Sequence, residues 1–202
     1  MALPAHRCHP IRRGARQRPR RRRFTSAAFA ITGHDTEAYQ ILQYNQQAQS
    51  SYGTWEARTK LDGSGPPDGQ GGIDSAAAFT APPFNTAPAD LGAALDQTYN
   101  VLKRPNGGAV PGSGYNWGTD TWSHNASFFS LAWYGTGQSA KGGPVLDWVL
   151  SKRNNLGELP ETVNAAGKPS SVVPLGWTDA LVLMSLVENS STPMPTPPLQ
   201  QP

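Results

Sequence analysis

Residues 157–186 read GELPETVNAAGKPSSVVPLGWTDALVLMSL. This stretch sets a loop-borne glutamate directly ahead of an apolar helix. Gly157 is a helix stop. Glu161 follows Pro160 in a segment whose turn, Ala166-Gly167-Lys168-Pro169, marks it as irregular. From Thr178 to Val187 the residues turn apolar over the length of a short helix, opened by Pro174-Leu175-Gly176-Trp177-Thr178.

The same alternation of long Gly/Pro loop and short helix extends upstream. Pro144 is expected to open a helix through Val145, Trp148 and Val149, with Lys152-Arg153 at its C-terminal end. Trp122–Tyr134 is apolar around Phe128, Phe129, Leu131 and Trp133, and Gly135 and Gly137 stop it. Residues 104–121 form a Gly-rich loop. Pro88–Lys103 is amphipathic, because Leu91, Leu95, Tyr99 and Leu102 recur at steps of four, four and three. Ile73–Phe79 is a short helix ended by Pro82-Pro83. Residues 50–72 form a second long loop. Ahead of it, a helix runs from Asp35, as N-cap, through Ile41, Leu42 and Tyr44. Ala27–Ile31 is expected to be a buried helix ending near Gly33. No period-two pattern appears. The fold class expected is therefore all-α, with the loops gathered at one end of helical hairpins, where sites usually lie.

Composition sets the limits. Of 202 residues 37% are apolar, while 21 Gly and 19 Pro demand long loops. No apolar run is long enough to cross a membrane. The net charge of +3 hides an asymmetry. Residues 1–23 carry nine arginines and no acid, whereas residues 24–202 carry eight basic residues against 14 acids, a balance of −6. An acidic body suits a neutral partner and argues against nucleic acid. The Arg-rich head, 1–23, reads as a disordered extension. A phosphate-binding arm and a secretion signal are its other readings. Ala28-Phe29-Ala30 mimics a cleavage site, but the apolar stretch Phe24–Ile31 is short and broken by Thr25 and Ser26, so a cytoplasmic chain is expected. Cys8 is the single cysteine and the four histidines show no ligand spacing, so neither a metal nor another cofactor is expected. Residues 24–188 form the expected domain. Residues 189–202 are expected to be a disordered, Pro-rich tail with almost no contacts with it.

Hydrolysis of a glycosidic bond needs two carboxyl groups, one protonated and one ionised. Aromatic rings suit the apolar faces of sugars. Two acids lie in fitting loops. Glu56 stands in Tyr52-Gly53-Thr54-Trp55-Glu56-Ala57-Arg58, where the indole would desolvate the carboxyl and raise its pKa, as suits a general acid, or Arg58 would instead hold it ionised. Glu161 is the second. Taken alone, each is more often a solvated loop residue. Trp55, Trp117, Trp122 and Trp177 fall in or beside loops, whereas Trp133 and Trp148 are mid-helix and read as core.

Residues 157–186 resemble the closing segment of bacterial enzymes of glycoside hydrolase family fifteen, which includes glucoamylases, glucodextranases and some trehalases. The match rests on the Pro160-Glu161 pair, the Gly167 turn and the Pro174-to-Thr178 opening of the last helix. Asp74-Ser75 through Pro82-Pro83, Asn106-Gly107-Gly108, Ser127-Phe128-Phe129, Asp147-Trp148-Val149 and Trp55-Glu56 are similar to further segments, so the resemblance covers about residues 24–187. It implies an (α/α)6 toroid of six helical hairpins. This chain offers fewer helices than the twelve of that fold and lacks its Arg-Asp pair near Arg22-Arg23, so an incomplete barrel is expected. The resemblance also implies Glu161 as general base and Glu56 as general acid. Trp55, Arg58, Trp117, Trp122 and Trp177 would then line the cleft of an oligosaccharide or disaccharide. A truncated copy that binds carbohydrate without turnover is the alternative, and a nucleic-acid protein using its Arg-rich head is a third. Neither composition nor motif speaks to oligomeric state.

Overall fold

The structure is a computed structural model, which describes residues 28–29, 31–41, 43, 73–87, 91–115 and 118–197. The Arg-rich head and the loop holding Trp55, Glu56 and Arg58 lie outside the described residues, as does Trp117. The described part is mostly helical. A 3₁₀ helix, Ser75–Thr80, is followed by α1 (Leu91–Leu102), α2 (Ser123–Gly135), α3 (Ser139–Leu150) and α4 (Gly176–Glu188). Two short strands, β1 (Thr121–Trp122) and β2 (Thr162–Val163), pair antiparallel.

The centre of the packing is α2. Every residue from Ser123 to Trp133 is buried. The 3₁₀ helix, α1, α3 and α4 all pack against it. The period read in α1 holds: Leu91, Leu95, Tyr99 and Leu102 all face inward. Tyr99 meets Phe129 and Trp133 edge-on, with ring centroids 5.1 and 5.0 Å apart. Phe128, Leu131 and Val145 are also buried, and Trp148 packs half-buried on the same core. Asp74 caps the 3₁₀ helix, its carboxylate accepting from the Ala76 amide at 3.0 Å.

Several expectations need correction. Pro144 lies inside α3, which opens at Ser139. Only the second turn loses a backbone bond, and Gly142 is used for packing. A Cβ on Gly142 would stand 3.0 Å from the Ser130 carbonyl, and Ser130 Oγ donates to the Gly142 carbonyl at 3.0 Å. Ala28 and Ile31 are not buried, Ile31 being 73% exposed. The Asp35 helix begins on Asp35 itself, and the Ala38 amide bonds the His34 carbonyl, which puts His34 at the cap. The β1–β2 pair was not foreseen, because two-residue strands within Gly-rich loops show no period. The tail also has contacts as far as Pro197. Met194 packs on the core, and Thr86 Oγ1 donates to the Pro197 carbonyl at 2.9 Å.

The Asn106-Gly107-Gly108 loop joins this core to the strands. Asn106 Nδ2 donates to Thr121 Oγ1 at 2.9 Å and to the Asn164 carbonyl at 3.0 Å. Trp148 Nε1 donates to the Asn106 carbonyl at 2.6 Å. The indole leaves no room for side chains: a Cβ would fall 2.6 Å from it on Gly107, whose φ is +95°, and 2.5 Å from it on Gly108. Leu95→Ala, at a position with no exposed surface, is expected to cost about 2–5 kcal/mol in urea unfolding. Gly108→Ala is expected to cost about 1–3 kcal/mol by overpacking against Trp148. The same measurement checks both.

Candidate functional site

The β1–β2 pairing builds the site. Its register sets Thr121 opposite Val163 and Trp122 opposite Thr162. Glu161 therefore lies beside the first turn of α2, and the Ser123 amide donates to the Glu161 carbonyl at 2.8 Å. Beyond β2 the chain turns back through Asn164 to Lys168. Asn164 Oδ1 accepts from the Lys168 amide at 3.0 Å, and Gly167 takes φ +79° where a side chain would be strained. The return arm pairs with the outgoing one, the Glu161 amide donating to the Val172 carbonyl at 2.9 Å. Ser171 thereby faces the glutamate, and its Oγ donates to Glu161 Oε2 at 2.6 Å. Ser170 Oγ reaches Asp120 Oδ2 across the same strands.

The start of α4 closes the other side. The Leu175 amide donates to the Leu159 carbonyl at 2.9 Å, and Thr178 Oγ1 to the Pro160 carbonyl at 3.2 Å. This anchors Trp177, which is 54% exposed. Its indole stacks on His124 with centroids 4.7 Å apart and planes 13° from parallel, while Phe128 meets it edge-on at 5.6 Å. Trp122 meets His124 edge-on at 5.3 Å and Tyr115 at 6.1 Å. Glu161, Trp122 and Trp177 are thus brought to one place around the N-terminus of α2.

Four polar atoms there are buried and have no hydrogen-bond partner among the described residues: Trp122 Nε1, Ser123 Oγ, His124 Nδ1 and Asn125 Oδ1. Unspent buried polar atoms are costly and call for an explanation. These four offer both donors and acceptors, the set that hydroxyl groups satisfy. His124 is 5% exposed. Burial pushes its imidazole down to about 4, against the opposing pull of the Glu161 charge, so it is neutral at pH 7. Among the described residues no cluster of three or more His, Cys, Asp or Glu is placed to hold a metal, and no helix is long and apolar enough to cross a membrane.

Sequence reasoning missed His124, Ser123, Asn125 and Ser171. Metal-ligand spacing was the wrong signal for His124. The useful one was its place four residues ahead of Phe128 on the helix that leaves the Gly-rich loop.

No protein-family model and no curated protein matches the chain. Solved structures do match. A wild-type glycosidase superposes with a TM-score of 0.56 at 16% identity, over 84% of this chain and 52% of its own. A glycosidase variant in complex with glucose gives the same TM-score, identity and coverage. The chain has a glycosidase-like fold. It spans about half the length of the solved structures it matches.

The low His124 pKa carries a pH consequence. The unfolded imidazole takes up a proton near 6.5, whereas the folded one resists until about 4. Proton uptake therefore favours the unfolded chain within that window. His124 is expected to withdraw on the order of 3 kcal/mol of stability as pH falls from 6.5 to 4, with no further loss below. Urea unfolding of wild type and His124→Gln across this range checks it: the variant should show a flatter profile.

Proposed function

We propose that the chain is a glycoside hydrolase-like domain, built as an arc of a six-hairpin (α/α)6 ring, that acts on α-glucosidic bonds with inversion. One observation carries this reading. Glu161 sits beside His124 and the exposed face of Trp177, among buried donors and acceptors that nothing described here uses. A carboxylate, an indole platform and unspent neutral polar atoms are what a sugar ring needs. The glycosidase-like fold supports it, as does the glucose-bound member of the matched structures.

In this scheme Glu161 takes a proton from a water whose oxygen attacks the anomeric carbon, and Ser171 holds the carboxylate toward the cleft. The leaving oxygen receives a proton from a second carboxyl group. By the family resemblance this is Glu56, with Arg58 orienting it. Inversion requires the two carboxyl groups roughly 6.5–9.5 Å apart, leaving room for that water. Trp177 and Trp122 stack against the ring, with Trp55 and Trp117 completing the cleft. The substrate is a neutral oligosaccharide or disaccharide, and the scheme uses no cofactor. The second reading is a carbohydrate-binding copy without turnover.

Release of reducing sugar from maltose, isomaltose and trehalose tests the first reading. Glu161→Gln is expected to lower kcat by about 10²–10⁴-fold with little change in KM, and Trp177→Ala to raise KM. An inert protein that still binds these sugars by calorimetry supports the second. Absence of both binding and turnover sinks both readings.

A further inference from the structure

A groove of about 560 Å³ runs between α1 and α3 and shares no residue with the Glu161 site. Asp96, Tyr99, Asn100 and Lys103 line it from α1. Lys141, Val145 and Trp148 line it from α3. Both sets recur at helical steps of three and four, so each helix gives one face to the groove. Trp133 of the enclosed α2 lies beneath them. It stands more than two turns along α2 from His124, on the order of 13 Å at the rise of an α-helix.

The polar groups of this groove divide into spent and free. Both Asp96 oxygens are spent, Oδ2 accepting from Lys141 Nζ at 2.6 Å and Oδ1 from Trp133 Nε1 at 3.2 Å. Lys141 also donates to Gln138 Oε1 at 2.7 Å. Trp148 Nε1 is taken by the Asn106 carbonyl, and the Tyr99 hydroxyl by the Gly107 carbonyl at 3.3 Å. Burial pushes the Tyr99 phenol up from its ordinary value, so this ring stays uncharged. The aromatic rings therefore offer the groove their apolar surfaces. Left over among the described residues are the Lys103 ammonium and the Asn100 amide. Lys103 Nζ stands 5.8 Å from the centre of the Tyr99 ring, and Lys152 Nζ 5.2 Å from that of Trp148. Among the described residues no acid pairs with either lysine. Asp147, the other acid of α3, does not line the groove.

We infer that this groove is a second binding site, and that its ligand is a small organic anion carrying a planar ring, an aryl carboxylate by class. The ring fits walls of Tyr99, Trp133 and Trp148, whose own donors are engaged elsewhere. The carboxylate accepts from Lys103 Nζ and Asn100 Nδ2, because the free groups are mainly donors and one of them is charged. The lining holds two lysines against one aspartate, a positive balance within a body that is net acidic. A neutral sugar needs acceptors as well as donors. The Glu161 site offers both, and here Asn100 Oδ1 is the one free side-chain acceptor among the described lining residues. A groove of this size admits a ligand of one or two fused rings. The inference does not depend on the sugar reading.

Titration calorimetry of the full chain, comparing naphthoate with its neutral amide at low salt, tests it. The acid is expected to bind about tenfold more tightly, the ratio that one charge-assisted hydrogen bond supplies. Lys103→Gln is expected to abolish that preference with unchanged far-UV circular dichroism, since Lys103 is exposed. By NMR, naphthoate is expected to shift the indole N–H signals of Trp148 and Trp133 and to leave those of Trp122 and Trp177 in place. Equal affinity for acid and amide overturns the inference, as does an acid preference that persists in folded Lys103→Gln. Should that variant fail to fold, the indole signals decide: shifts confined to Trp122 and Trp177 put the anion in the Glu161 site and overturn it. Absence of naphthoate binding overturns it as well. Maltose that shifts the Trp148 and Trp133 signals replaces the anion with a neutral sugar.

Discussion

The burial of α2 on every face is the constraint on which the rest of the structure depends. Its sequence, SHNASFFSLAWYG, puts Phe128, Phe129, Leu131 and Trp133 into different neighbours at once. A helix enclosed in this way cannot point its polar side chains at water, so each must find a partner within the protein or serve a purpose. Ser127 bonds back to the Ser123 carbonyl and Ser130 crosses to α3 at Gly142. These satisfy the middle of the helix. At its start the accounting stays open, with Ser123, His124 and Asn125 each keeping a buried atom unpaired among the described residues. The candidate site is where the central helix runs out of internal partners.

Its placement follows from the loops around that helix. Asn106 bonds both to Thr121 in β1 and to the backbone beyond β2, so a single side chain holds two loops in register. The bare backbone of Gly107 and Gly108 lets Trp148 lie against the same loop. Core packing and site geometry are therefore mechanically connected. The indole that rests on the core also bonds the Asn106 carbonyl, and Asn106 in turn holds the end of the strand that follows Glu161.

Legibility in the sequence tracked the size of the signal. The four-four-three spacing in α1 was enough to name its buried residues, because a helix half in contact with water must segregate its side chains. For α3 the sequence reading put the start at Pro144, since a proline usually marks a first turn. There Gly142 serves close approach to α2, a tertiary demand that local propensity does not contain. The strands were invisible because they span two residues each. In the site, Glu161 and Trp177 were legible through their motif and their loop setting. His124 was not, because its parallel stacking partner, Trp177, stands on the last helix, far along the chain. Whether Glu56 faces Glu161 is a question of long-range placement, and its loop lies outside the described residues.

The chemistry of His124 shows which force governs this site. Glu161 nearby favours a protonated imidazole, and burial favours a neutral one. Burial prevails, so the ring offers one donor and one acceptor in place of a positive charge. That outcome shapes both neighbours. Trp177 stacks in parallel on a neutral ring, so dispersion and desolvation hold it rather than attraction to a cation. Glu161 has no cation described beside it and is held instead by the Ser171 hydroxyl. A site with a protonated histidine would pair the carboxylate and occupy it. With a neutral one, the carboxylate is left to the Ser171 hydroxyl, and the groups around it present dipoles without net positive charge, for the same physical reason that the imidazole itself stays uncharged.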